Sequence, residues 1–186
     1  CNQCRKISKL RKKEMTIKYK VQRNFLDQAF FDQFQKFIFS HEMGWHWEEH
    51  QVPIVLDLQS PQHDDRSFFS HTCFQKHEPC SPLYSRFMVP ILRGLQSKLV
   101  SNVRANCLIK DSKPHTSNFH SDTDYPCHTA ILYMNTNNGY TLLGEKEKIK
   151  ITSEENKIVV FDSQTKHCAV SQTDRERRIV VNFNYL

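Results

Sequence analysis

The sequence predicts a mainly β protein with flanking helices: a double-stranded β-helix (jelly roll) of eight short strands, with helices covering one sheet. Three observations carry this expectation. Residues 103–186 divide into short β-type segments separated by turn clusters such as Asn135-Thr136-Asn137-Asn138-Gly139 and Ser153-Glu154-Glu155-Asn156. Eight strands at that spacing suit a double-sheet jelly roll or a small barrel. Residues 24–102 instead place apolar side chains at helical spacing. With 186 residues, 38% apolar and 25% charged, the chain is long enough for one domain with a sizeable core.

The elements follow in chain order. Residues 1–23 read as a basic N-terminal arm and residues 24–186 as a single domain, with a helical front half at 24–102 and the jelly-roll core at 103–186. Asn24 is the expected cap of a helix that buries Phe25, Leu26, Ala29, Phe30, Phe34, Phe37 and Ile38. A second helix is expected with Pro90 in its first turn and Ile91, Leu92, Leu95 and Leu99 on its inner face. Between them lies a His-, Trp- and Pro-rich stretch, 41–82, with one strand expected at Val52–Leu58. Trp45 and Trp47 are expected to pack a lid or the core, given the area each can bury. The eight core strands are expected at Val103–Lys110, Phe119–Asp122, His128–Asn135, Gly139–Leu143, Ile149–Thr152, Lys157–Phe161, His167–Ser171 and Arg178–Tyr185.

Charge and cysteine usage narrow the function classes. The net charge is +6, but residues 1–20 hold eight Lys/Arg against Glu14 alone. The body is close to neutral, so nucleic acid is not the favoured partner and the arm reads as a solvated leader. No apolar run approaches the ~18–20 residues of a membrane helix, and no membrane partner is expected. The start at Cys1 shows no signal-peptide core, and seven cysteines without regular spacing suit free thiols in the cytoplasm. Cys1-x-x-Cys4 and the group His71, Cys73, His77, Cys80 offer zinc-type ligands but lack finger spacing. There is no G-x-S-x-G, P-loop or G-x-G-x-x-G, which disfavours serine-hydrolase chemistry at Ser163 and nucleotide-dependent chemistry.

The chemistry-bearing pattern is His-x-Asp. Ten His and ten Asp in this length yield about 0.5 such triplets by chance, so the motif alone decides nothing. Two occur, at His63-Asp64-Asp65 and His120-Ser121-Asp122. A non-haem Fe(II) site needs two His and one carboxylate on one face, with open positions left over. His120 and Asp122 fall on the second expected strand; His167 opens the seventh, 47 residues later. Arg178 follows on the eighth and can grip a dicarboxylate bidentately. Strand parity puts Arg178, Val180, Asn182 and Asn184 on one face and Arg177, Ile179, Val181, Phe183 and Tyr185 on the other. The first face suits a polar pocket, so Arg178 is the expected clamp and Arg177 an edge residue. His63 sits in a polar stretch after Pro61, and a His115 partner would leave Tyr125-Pro126 where a basic strand is needed. That set reads as a surface loop.

These residues, within FHSDTDYPCHTAILYMN, NGYTLL, KIVVFDSQTKHCAVS and RRIVVNFNYL, resemble the Fe(II)/2-oxoglutarate-dependent oxygenases, near the prolyl 4-hydroxylase-like branch that includes phage-encoded members. NFLDQAFFDQF and Trp45-His46-Trp47 resemble the front half of such proteins. The resemblance implies that Tyr133 contacts the distal carboxylate of 2-oxoglutarate, and Thr129, of the same strand parity, lines the same pocket. Asn106, Asn182 and Asn184 are further pocket-wall candidates. It further implies a dioxygenase (hydroxylase) using Fe(II), 2-oxoglutarate and O2, with ascorbate as an accessory. Such an enzyme hydroxylates a substrate, here a prolyl or other peptide residue, while converting 2-oxoglutarate to succinate and CO2. Collagen-type prolyl hydroxylases carry Lys where this chain has Arg178, which sets it apart from collagen-like substrates. Two other readings stay open: a nucleic-acid demethylase-type oxygenase using the basic arm, and a non-catalytic cupin-like metal-binding module.

Overall fold

The computed structural model describes residues 17–49 and 66–186. The expected strand at Val52–Leu58, His63-Asp64-Asp65, Cys1-x-x-Cys4 and most of the basic arm lie outside the described residues. The chain begins with strand β1 (Tyr19–Gln22), then helix α1 (Gln28–Ile38) and strands β2 (His46–Glu48), β3 (Phe68–Gln75) and β4 (Glu78–Pro79). A π-helical segment, Tyr84–Met88, runs directly into α2 (Val89–Gly94). Seven strands follow: β5 (Val100–Ile109), β6 (His128–Tyr133), β7 (Tyr140–Leu143), β8 (Ile149–Thr152), β9 (Lys157–Asp162), β10 (His167–Val170) and β11 (Arg177–Tyr185).

The strands form two antiparallel sheets, the jelly-roll arrangement the sequence predicts. The larger runs β1-β9-β6-β11-β5-β3-β2 with β4 beside β3; the smaller runs β10-β7-β8. Both helices cover the outer face of the large sheet. On β11, Ile179, Val181, Phe183 and Tyr185 point into that layer, where they meet Phe31, Phe34, Ile38, Phe87 and Ile91. Phe34 and Phe87 stack with centroids 4.7 Å apart. Each such side chain contributes about 1.5–3 kcal/mol by leaving water, so this layer fixes the side chains of opposite parity toward the second sheet.

Several expectations need correction. The cap of α1 is Asp27, whose Oδ1 accepts from Phe30 N at 3.1 Å. Asn24 instead adopts φ +48°. Asn156 then brackets Leu26, accepting from its N and donating to its O, each at 2.9 Å. The second helix ends at Gly94, Gln96 turns the chain at φ +57°, and Leu99 lies beyond it, 53% exposed. Phe119–Asp122 is not a strand. Within it only His120 bridges β10, at His167, while Asp122 N turns to Ser163 O; upstream, Thr116 makes a separate bridge to Val170, where Ala169 N donates to Ser117 Oγ and His115 N to Ser171 Oγ. The front half also holds β3, which pairs β2, β4 and β5, and β1 within residues 1–23 pairs β9. Trp45 packs against the helical core as expected, whereas Trp47 is 58% exposed, edge-on to Phe69.

Candidate functional site

Between the sheets lies a cavity of about 90 Å³, open to solvent and lined by His120, Asp122 and His167 at one end and Arg178 among its walls. His120 and His167 exchange backbone hydrogen bonds of 3.0 and 2.8 Å, which sets their rings side by side, centroids 4.5 Å apart. Asp122 N donates to Ser163 O at 3.1 Å, tying the third residue to the turn before β10. The ligating atoms of the three residues all lie within 4.8 Å of one another. Asp122 Oδ1 is 3.4 Å from His167 Nε2 and 3.7 Å from His120 Nε2.

The tautomers follow from the partners. His120 Nδ1 faces Asn118 O at 3.2 Å, and His167 Nδ1 faces Thr165 O at 3.0 Å. A carbonyl only accepts, so both Nδ1 atoms carry a proton and Nε2 is the atom each ring turns toward Asp122, offering its lone pair when the ring is neutral. Two imidazole lone pairs and a carboxylate oxygen thus converge on one point, a donor set that attracts a cation. Ligands about 2.1 Å from a first-row metal at right angles stand about 3.0 Å apart. The two spacings from Asp122 Oδ1, 3.4 and 3.7 Å, exceed that value by less than about 1 Å. Burial, reinforced by the neighbouring His167, lowers the His120 pKa and favours the neutral ligand form. Burial alone would raise the Asp122 pKa, but its contacts with His167 and hydrogen bonds from Asn184 and Thr129 hold the carboxyl well below its usual range.

Thr129 and Asn184 form the support of that carboxylate. Thr129 Oγ1 donates to Asp122 Oδ2 at 2.8 Å, and Asn184 Nδ2 donates to the same oxygen at 2.9 Å and to Thr129 Oγ1 at 2.9 Å. Thr129 therefore stands at the His-Asp-His end and outside the cavity wall, whereas its parity with Tyr133 suggested that it lines the pocket. Register explains the difference: Thr129 pairs with Asn184, while Tyr133 pairs with Val180. Four residues of one strand separate them by about 13 Å on the same face.

Arg178 is 1% exposed. Its Nε donates to Ser153 Oγ at 2.8 Å and one terminal nitrogen to Thr141 Oγ1 at 3.2 Å. Among the described residues no carboxylate pairs with it; burial lowers its pKa and only Tyr133 opposes that. Tyr133, wholly buried, donates its hydroxyl to Thr141 Oγ1 at 2.9 Å and so reaches the pocket through Thr141. Burial raises the Tyr133 pKa and keeps that hydroxyl protonated. Gly139 makes room for the arginine: a Cβ there would lie 2.9 Å from Arg178 Cδ, Asn137 Oδ1 and Val170 O. Arg177 turns away as parity predicts, donating to Phe39 O at 3.3 Å beneath the Phe39 ring.

Asn106 and Asn182 line the cavity, whereas Asn184 belongs to the Asp122 support. Thr141, Ser153, Gly139 and Arg104 are site residues that the sequence reading missed. The turn-flanking sequence Asn138-Gly139-Tyr140-Thr141 was the available signal for two of them. Among the described residues His120, Asp122 and His167 are the one group of three close ligating side chains. His71 spends its nitrogens on Gly44 O and Ser81 Oγ, and burial pushes the Cys73 thiol up to about 12. Ser163 Oγ is bound by Thr123 Oγ1 and Cys127 N, a structural arrangement.

No protein-family model and no curated protein matches the sequence. Solved structures do. The chain is similar to an oxidoreductase of the 2OG-Fe(II) oxygenase family from Burkholderia pseudomallei, with a TM-score of 0.64 and 10% identity over 90% of this chain and 85% of that one. It is similar to a prolyl hydroxylase from Trichoplax adhaerens in complex with a hypoxia inducible factor oxygen degradation domain peptide fragment. There the TM-score is 0.63 at 13% identity, covering 91% of this chain and 84% of that one. HygX from Streptomyces hygroscopicus, with nickel, 2-oxoglutarate and hygromycin B bound, gives a TM-score of 0.54 and 9% identity over 91% and 83%. The chain has the fold of the 2OG-Fe(II) oxygenases.

Proposed function

We propose that this chain is a non-haem Fe(II)- and 2-oxoglutarate-dependent dioxygenase that hydroxylates a prolyl or other residue of a peptide. The observation that carries the reading is Arg178, a buried guanidinium without a carboxylate partner in the cavity that His120, Asp122 and His167 enter. A lone buried cation is costly unless an anion meets it, and a dicarboxylate with one end on Arg178 and the other at the His-Asp-His point satisfies both groups. Fe(II) and 2-oxoglutarate, when bound, supply activation of O2 and oxidative decarboxylation to succinate and CO2.

The chain's own residues do the rest. His120, Asp122 and His167 would hold the metal, and three protein ligands would leave room for further ligands. Arg178 grips the distal carboxylate, oriented by Ser153 and Thr141, and Tyr133 fixes Thr141 from behind. Thr129 we assign to orienting Asp122 rather than to touching 2-oxoglutarate. The peptide reading draws on the similarity to a prolyl hydroxylase seen with a peptide fragment. The fold is shared by a protein holding hygromycin B, so fold alone does not choose the substrate. The proposed location is the cytoplasm; no helix among the described residues is long and apolar enough to cross a membrane. β1 extends the proposed domain back to Tyr19, leaving a shorter basic arm.

The test is succinate formation with Fe(II), ascorbate and 2-oxoglutarate over peptides, free amino acids and methylated nucleic acid. Iron-dependent succinate stimulated by a peptide is expected. Stimulation by methylated nucleic acid alone favours the demethylase-type reading, and no succinate at all favours a non-catalytic metal module.

Two further outcomes follow from the geometry. Gly139→Ala crowds Arg178 Cδ and the Val170 carbonyl alike, so 2-oxoglutarate affinity should fall about tenfold or more, the scale of one charge-assisted hydrogen bond, with some loss of stability but a native circular dichroism spectrum. Thr129→Val removes one donor from Asp122 and should weaken metal binding about 10–100-fold, read by titration of the metal-free protein with Mn(II).

A further inference from the structure

We propose that Arg104 recognises a carboxylate on the primary substrate, so that the enzyme acts on an acidic peptide or amino-acid derivative; the inference rests on the oxygenase reading above. Arg104 is a second guanidinium in the wall of the same cavity. It lies on β5 opposite Asn182 of β11, whereas Arg178 lies opposite Leu108. The two arginines are therefore four residues apart along the sheet, about 13 Å. They also lean to opposite sides of the β5–β11 pair. Arg178 reaches Thr141 of β7 and Ser153, while the Arg104 guanidinium sits over the Phe68 ring of β3, 5.7 Å from its centroid. The carboxyl carbons of 2-oxoglutarate are about 5 Å apart, from C–C bonds of about 1.5 Å. A keto acid seated on Arg178 and the metal point leaves Arg104 for another ligand.

Among the described residues no hydrogen bond or ion pair reaches the Arg104 guanidinium. Burial lowers its pKa, and Glu48 and Asp122 oppose this only through longer-range charge. Glu48 is itself engaged, accepting from Ser70 Oγ at 2.5 Å, and Asp122 belongs to the metal point. Beside Arg104 stand two more unmet groups: Asn106 Oδ1 and Asn182 Oδ1 are buried without a hydrogen-bond partner. A planar, singly charged carboxylate matches one guanidinium fork, and N–H donors match the two amide oxygens. Carboxylate and N–H within a few bonds of each other are features of a peptide or an N-acyl amino acid.

The experiment uses the protein loaded with Mn(II) and N-oxalylglycine, which fills the keto-acid position without turnover. N-acetyl dipeptides, each as free acid and as carboxamide, are titrated into the wild type, Arg104→Gln and Arg104→Lys by calorimetry. The acids are expected to bind the wild type about tenfold or more tighter than the amides, as loss of a charge-assisted pair implies. That preference should shrink to about threefold or less in Arg104→Gln and return in part in Arg104→Lys. Equal binding of acids and amides by the wild type, or an acid preference that survives Arg104→Gln, overturns the proposal. So does an N-oxalylglycine affinity that drops tenfold in Arg104→Gln, which would place this guanidinium on the keto acid instead. Failure of N-oxalylglycine to bind the wild type is a different result: it removes the oxygenase reading and this inference with it.

Discussion

Arg178→Ala is expected to weaken 2-oxoglutarate binding about 10²–10³-fold, because truncating one partner of a buried charge pair costs about 2–5 kcal/mol. The stability of the ligand-free protein should behave differently. Its guanidinium is buried with only Ser153 and Thr141 as partners, and a buried charge without a counterion does not stabilise a fold. Arg178→Met, which retains the volume, should therefore unfold in urea at the wild-type midpoint or above. Arg177→Ala should change 2-oxoglutarate affinity by less than about threefold, since Arg177 faces Phe39 at the end of α1. Isothermal titration of the three variants decides the ranking. A larger loss in Arg177→Ala would mean that the inner and outer faces of β11 are exchanged.

His167→Ala has the second large effect. It removes one of three converging ligand atoms, so metal affinity should fall by more than the about 10–100-fold that a change in supporting residues costs, and succinate formation should vanish. The imidazole is almost buried, packed edge-on to Phe161 and beside His120. Its loss should cost about 1–2 kcal/mol of stability, as for an ordinary buried truncation, leaving a folded protein. Retained Mn(II) binding and turnover would remove His167 from the centre.

How much of this was legible in the sequence depends on the range of the signal. Alternation along β11 is local, and it correctly placed Arg178 in the cavity and Ile179, Val181 and Phe183 under the helices. The spacing of His120, Asp122 and His167 was legible because His-x-Asp is a local pattern and His167 opens a strand, β10, that a turn precedes. Thr129 shows the limit of parity, which assigns a face of the sheet but not a row along it. Its row depends on pairing with Asn184, a partner 55 residues away. Ser153 and Thr141 come to Arg178 from the loop after β8 and from β7, so no local pattern marks them. Strand β3 escaped notice because its face toward the cavity carries Ser70 and Thr72 and its register shifts after Thr72, which blurs the period of two. Phe119–Asp122 looked like a strand by composition, yet it meets β10 at a single bridge, His120 to His167, before Asp122 N turns to Ser163 O.

The most direct test of the central claim is the anomalous scattering of iron in crystals grown anaerobically with Fe(II) and 2-oxoglutarate. The account predicts one peak about 2.0–2.3 Å from His120 Nε2, an Asp122 carboxylate oxygen and His167 Nε2, with the distal carboxylate of 2-oxoglutarate on the Arg178 guanidinium. Iron bound elsewhere, or 2-oxoglutarate seated away from Arg178, would contradict it.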